Sequence, residues 1–86
     1  MTSFRFVVSV MPREGILDPQ GRAVETSLPH LGVTGVHEVR VGRRVELTVD
    51  AADAAEAQGV VDRLASELFA NPLIESWTVE RQGPTP

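Results

Sequence analysis

The residues able to do chemistry are few, and their spacing limits them further. Arg40, Arg43 and Arg44 flank Gly42, and guanidinium forks of this kind match a phosphate or a partner carboxylate bidentately. A solubilising role at a hairpin tip competes with that reading and is favoured, because exposed charges contribute little. His30 and His37 have neither HxH nor HxxxH spacing, and the chain contains no cysteine to complete a zinc set. Ser3, Ser9, Ser27, Ser66 and Ser76 lack a G-x-S-x-G turn. The carboxylates are scattered along solvated helix faces. No catalytic, metal or cofactor site is expected on this chain.

The densest local signal is the turn Gly15-Ile16-Leu17-Asp18-Pro19-Gln20-Gly21. Asp18 suits a helix N-cap and Pro19 the position after it, since proline has no N–H to leave unpaired. Gly21 then falls inside the first turn, where glycine costs roughly 1 kcal/mol against alanine. A position without a side chain lets another backbone or a partner approach closely. The turn matches neither G-x-G-x-x-G nor a Walker loop, so it is a weak phosphate signal.

The elements that must position these residues are read from periodicity. Residues 4–11 place Phe4, Phe6, Val8 and Val10 on one face of a strand and Val7, Ser9 and Met11 on the other. A strand apolar on both faces belongs at the centre of a sheet. From Asp18, Val24, Leu28 and Leu31 recur at helical spacing, Pro29 predicts a short or bent last turn, and Gly32 stops it. Residues 36–50 read as a hairpin: Val39 and Val41, then Val45, Leu47 and Val49, alternate with polar residues around a turn at Gly42-Arg43. Residues 50–70 form the clearest helix, with Ala57, Val60, Val61, Leu64 and Leu68 as its stripe and Asn71-Pro72 as its stop. Residues 73–81 alternate as a last strand, and residues 82–86 are a loose tail.

The order βαββαβ predicts an α+β, ferredoxin-like single domain over residues 1–86, a four-stranded antiparallel sheet with two helices on one face. Val7, Met11 and Trp77 suggest apolar material on or near the second face, which self-association would hide. Glu75 beside Trp77 is a candidate interface, tryptophan being enriched at hot spots.

At 86 residues the core is marginal, and without disulfides packing and oligomerisation must stabilise it. The eight cations are all arginine and stand against twelve acids, for a net charge of -4, which argues against a nucleic-acid partner. No apolar run is long enough to span a membrane, and the first residues lack signal-peptide features, so a cytoplasmic chain, mature from its start, is expected.

The turn Gly15-Ile16-Leu17-Asp18-Pro19-Gln20-Gly21, with Leu31-Gly32, Val39-Arg40-Val41-Gly42-Arg43 and Ala70-Asn71-Pro72-Leu73-Ile74-Glu75, resembles the PurS family. PurS is the small subunit of phosphoribosylformylglycinamidine synthase, the glutamine-dependent fourth step of purine biosynthesis. The resemblance spans residues 4–80. It implies a non-catalytic chain, dimeric and sometimes tetrameric, that bridges the ATP-dependent synthetase subunit PurL and the glutaminase subunit PurQ so that ammonia is transferred. ATP and magnesium would then sit on the large partner. By the same comparison Asp18, Pro19, Gln20 and Gly21 match the family's turn, Arg40 and Gly42 its hairpin, and Asn71, Pro72 and Glu75 its last-strand entry. With Arg43 and Trp77 they form the candidate assembly surface. The alternative is an ACT-like regulatory module that binds a small ligand at the Gly15–Gly21 turn.

Overall fold

The computed structural model describes residues 1–83. Residues 84–86, the end of the expected tail, lie outside the described residues. Strand β1 (Thr2–Pro12) is central in a three-stranded antiparallel sheet of order β2-β1-β3, with β2 at Arg43–Ala51 and β3 at Glu75–Arg81. Helix α1 (Pro19–Ser27) runs into a 3-10 turn at Leu28–Leu31, and α2 (Ala54–Leu64) runs into a π turn at Ala65–Phe69.

The core forms where α2 crosses β1. Phe6, Val8 and Val10 point to one side of the sheet and meet Ala57, Val61 and Ala65, all essentially inaccessible to solvent. The helix residues recur every four positions, and the two alanines let the helix backbone approach the sheet closely. Asp53 caps α2 by accepting the N–H of Glu56 at 2.8 Å. The expected stripe is rotated in its outer positions, since Val60 and Leu68 are exposed. The π turn explains Leu68: the Ala70 N–H reaches back five residues to the Ala65 carbonyl, and the wider turn swings Phe69 toward the core instead.

The expected four-stranded ferredoxin-like sheet is not formed. Residues 36–42 make no ladder, and Arg43 begins β2, which pairs with β1 from Val10↔Arg43 to Thr2↔Ala51. Two causes are visible, one local and one distant in sequence. Glu38 adopts the left-handed conformation (φ 58°), which breaks an extended run. The N–H groups of Val39 and Val41, which a neighbouring strand would have used, are taken by the side chains of Glu25 and Asp18. The segment is a strap over α1 instead of the first limb of a hairpin.

Nor do two helices cover the sheet. The only buried residue of α1 is Gly21, and no α1 residue joins the core. Leu31 is 76% exposed and Val24 is also exposed, so the apolar stripe faces water. The molecule measures 52 × 34 × 14 Å, and its radius of gyration is 16.8 Å, where a compact chain of this length has about 12 Å. Phe4, Val45, Leu47, Val49, Trp77 and Val79 are left half-covered on the face that α2 occupies only in part. Trp77 pairs with Val10 and so shares that face; it does not lie on the far side of the sheet.

Other expectations hold with sharper edges. The first helix is short, as Pro29 predicts: the Leu28 N–H already reaches only three residues back, to Glu25, and Gly32 ends the 3-10 turn at φ 71°. Val7 does lie on the far face, but it is buried within the single chain between Glu46 of β2 and Glu80 of β3, so it is not the open apolar surface expected there. The last strand begins at Glu75, two residues later than expected, because residues 71–74 form a turn.

Candidate functional site

Asp18 is the hub of the first half of the site. Its Oδ1 accepts the Gly21 N–H at 3.0 Å, its Oδ2 accepts the Val41 N–H at 2.9 Å, and its carbonyl accepts the Arg22 N–H. One carboxylate therefore caps α1 and ties down the strap. Those bonds favour its ionised form, so its pKa is lowered, chiefly by the Gly21 N–H, next by that of Val41, with Arg40 adding attraction. Glu25 repeats the clasp one step along, accepting the Val39 N–H at 2.7 Å.

This geometry explains the misplaced glycine. A Cβ on Gly21 would collide with the Val39 carbonyl oxygen and the Asp18 carboxylate. The close approach belongs to the chain's own strap. Gly42, at the strap's other end, is under the same constraint, because a Cβ there would strike the Val10 carbonyl and the Met11 sulfur. Both positions need an absent side chain, not a special φ.

The second half is built where β2 and β3 begin. Arg43 donates Nη1 to one Glu75 carboxylate oxygen at 2.7 Å and Nη2 to the other at 2.9 Å, and Nη2 also meets the Phe69 carbonyl. Glu75 accepts the Asn71 N–H as well. These donors hold its carboxyl well below the ordinary range, at about 2, with Arg43 the larger cause and Asn71 the next. The side chain of Glu75 is only 14% exposed, and Arg43 covers it. Arg13, at the end of β1, donates Nε to the Pro72 carbonyl.

A cleft of about 430 Å³ lies between the two halves, walled by Ile16, Leu17, Pro19, Gln20 and Ile74 over Asp18, Arg43 and Glu75. Asp18, Pro19, Gln20, Gly42, Arg43 and Glu75 of the expected set thus share one cleft. Gly21, Asn71 and Pro72 support it from behind, through Asp18, Glu75 and Arg13 respectively. Arg40 faces an adjoining groove with Arg13 and Arg22, and Trp77 belongs to the half-covered sheet face. Arg44 pairs with Glu46 on the exposed sheet and is no part of the cleft. The reading of the sequence missed Arg13, Leu17 and Glu25. Glu25 carried a usable signal, because an acid two turns past a helix cap can reach a passing backbone. Among the described residues, no group of three or more histidines and carboxylates is placed to hold a metal ion.

The family model of PurS, phosphoribosylformylglycinamidine (FGAM) synthase, matches residues 5–83. This chain belongs to the PurS family. Within it, the chain is 46% identical over 78 residues to the PurS subunit of Mycobacterium leprae, covering 91% of this chain and 95% of that one. Its fold superposes on a chain of the PurLQS structure from Thermotoga maritima with a TM-score of 0.85 at 29% identity, over 95% of this chain and 100% of that chain. A Bacillus subtilis PurS structure gives a TM-score of 0.81 at 32% identity, covering 93% and 99%. The expected four-stranded sheet is corrected while the expected family stands. The chain is the PurS subunit of phosphoribosylformylglycinamidine synthase, an enzyme of purine biosynthesis and an ATP-dependent amidotransferase complex.

Proposed function

We propose that this PurS chain acts as the non-catalytic assembly subunit of its synthase, holding the glutaminase PurQ and the ATP-dependent synthetase PurL in fixed geometry for ammonia transfer. The observation that carries the reading is the uncovered apolar surface of a chain whose likeness extends over a chain of the PurLQS structure. Ammonia released at one active site must reach the other before it escapes or is protonated, and a fixed geometry raises its effective concentration. ATP and magnesium sit on the large partner in this reading, and the assembly works in the cytoplasm. No helix among the described residues is long and apolar enough to cross a membrane.

Self-association is the other half of the proposal. The chain pairs as a homodimer, or a tetramer of two such pairs, by laying the α1 stripe and the open half of the sheet against a second copy. Val24, Leu28 and Leu31 supply the helix side, and Val45, Leu47 and Val49 the sheet side. Each aliphatic side chain fully buried there contributes roughly 1.5–3 kcal/mol. Sedimentation of the purified chain, alone and then with PurL and PurQ, tests both parts, and a chain that sediments alone as a monomer contradicts self-association. A ternary species that forms only when this chain is added supports the proposal, and a PurL–PurQ species of equal stability without it contradicts it.

A further inference from the structure

Helix α1 is held in place by two side chains and not by the core. At nine residues it is too short to be a stable helix in water by itself, and none of its residues joins the core cluster. Its attachment is the strap. Asp18, Gly21 and Glu25 follow at steps of three and four and so share one side of the helix. From that side Glu25 accepts the Val39 N–H and Asp18 accepts the Val41 N–H, while the bare Gly21 lets the Val39 carbonyl come close.

Chain length alone would leave α1 free to move. Residues 33–42 join its 3-10 end to β2, and a segment of that length can extend to about 33 Å. Nor is the strap's course the relaxed one, since Glu38, a non-glycine residue, is held at a left-handed φ of 58°. The same chain also offers the helix a competing place to rest. Val45, Leu47 and Val49 are half-covered, Val24 and Leu31 are exposed, and packing the two sets together within one chain would carry no cost of association. The helix nevertheless stands off the sheet, and the two carboxylate bonds are what tie it to the strap.

We infer that the Asp18–Glu25 clasp is the positioning device for self-association: it keeps α1 off the chain's own sheet, with Val24 and Leu31 open to a second copy. This rests on the self-association reading and adds what controls it. The control lies in two carboxylates that accept from the chain's own backbone, outside the apolar surfaces that would meet.

The test uses the full chain carrying Asp18→Asn with Glu25→Ala. Asparagine keeps one oxygen to cap the Gly21 N–H but presents an amide N–H₂ where Asp18 accepts from Val41, so the strap is cut and the helix cap is retained. Both changes remove negative charge from a chain at net charge -4, which by itself would favour pairing. Light scattering over a dilution series should nevertheless show the dissociation constant between copies raised at least about tenfold, the weight of one hydrogen bond to a charged group. Hydrogen exchange should quicken at Val39 and Val41. Glu25→Gln alone keeps an oxygen for the Val39 N–H and should associate as wild type does; weakening equal to that of the double variant would overturn the clasp. Val24→Asp, which spoils the apolar stripe directly, supplies the monomer for comparison, and protection at Val8 should be the same in it and in the double variant. Lower protection at Val8 in the double variant would mean that the substitutions act through the core, which overturns the inference. An unchanged dissociation constant, or Val39 and Val41 amides as protected as in wild type, overturns it too and leaves the self-association reading intact. A wild-type chain that stays monomeric throughout the series overturns both.

Discussion

Arg43 and Glu75 meet fork to fork across 32 positions of sequence, at 2.7 and 2.9 Å, and so fix where β2 and β3 leave the same end of the sheet. The third contact of Arg43, to the Phe69 carbonyl, adds the end of the π turn to that junction. A lysine carries the charge but can neither fork nor reach three acceptors in one plane. The melting temperature should therefore fall in the order wild type, Arg43→Lys, Arg43→Ala. Equal melting temperatures for arginine and lysine would show that charge alone suffices.

The same pair sets an acid limb. A carboxyl whose folded-state pKa is depressed stabilises the fold fully above its unfolded value and loses that contribution as pH falls through the folded value. For Glu75 the window runs from 4.5 down to about 2. Asp18 is shifted in the same direction and adds to the limb. Glu75→Gln should lower stability near neutrality and make it fall less steeply below pH 4.5, as read by urea midpoints across pH. A variant curve parallel to wild type would remove Glu75 from the acid response.

Two helix glycines should respond with opposite signs. Gly59 in α2 has nothing near its missing Cβ, so Gly59→Ala should gain up to about 1 kcal/mol from helix propensity. Gly21→Ala gains the same propensity but drives a methyl into the Val39 carbonyl, and should lose roughly 1–3 kcal/mol from overpacking. Denaturant midpoints of the two variants check this. Stabilisation by both would mean that the strap does not lie against α1 in solution.

Asp18 and Asp53 are both N-caps, but only Asp18 also holds a second segment. Asp53→Ala should behave as an ordinary lost cap. Asp18→Ala should be the more destabilising, and it should accelerate hydrogen exchange at Val41 as well as at Gly21. Protection at Val41 unchanged from wild type would contradict the clasp.

Much of the fold was legible in the sequence. The alternation of Phe4, Phe6, Val8 and Val10 marked the central strand, Asp18-Pro19 marked a helix start, and Pro29 marked a tightened last turn, because each signal acts within a few residues. The strap was read as a strand because Val39 and Val41 alternate with polar neighbours in either structure. What differs is the acceptor of their N–H groups, which comes from Asp18 and Glu25 far upstream. The stripe of α1 was real but remains unburied within one chain, so its periodicity could not say what it packs against. Of the site, the Asp18 turn and Glu75 were visible through their likeness to a family, and Arg43 through an arginine cluster whose forks match a carboxylate. Arg13 was not, since a single arginine after a strand gives no hint that it will grip a distant loop.

The central claim is that this chain works by position, and activity with two nitrogen donors tests it most directly. PurL and PurQ are assayed with and without the chain, first with glutamine and then with ammonium in excess. Glutamine-dependent synthesis should depend strongly on the chain, and ammonium-dependent synthesis much less. Equal glutamine-dependent rates with and without it would contradict the account.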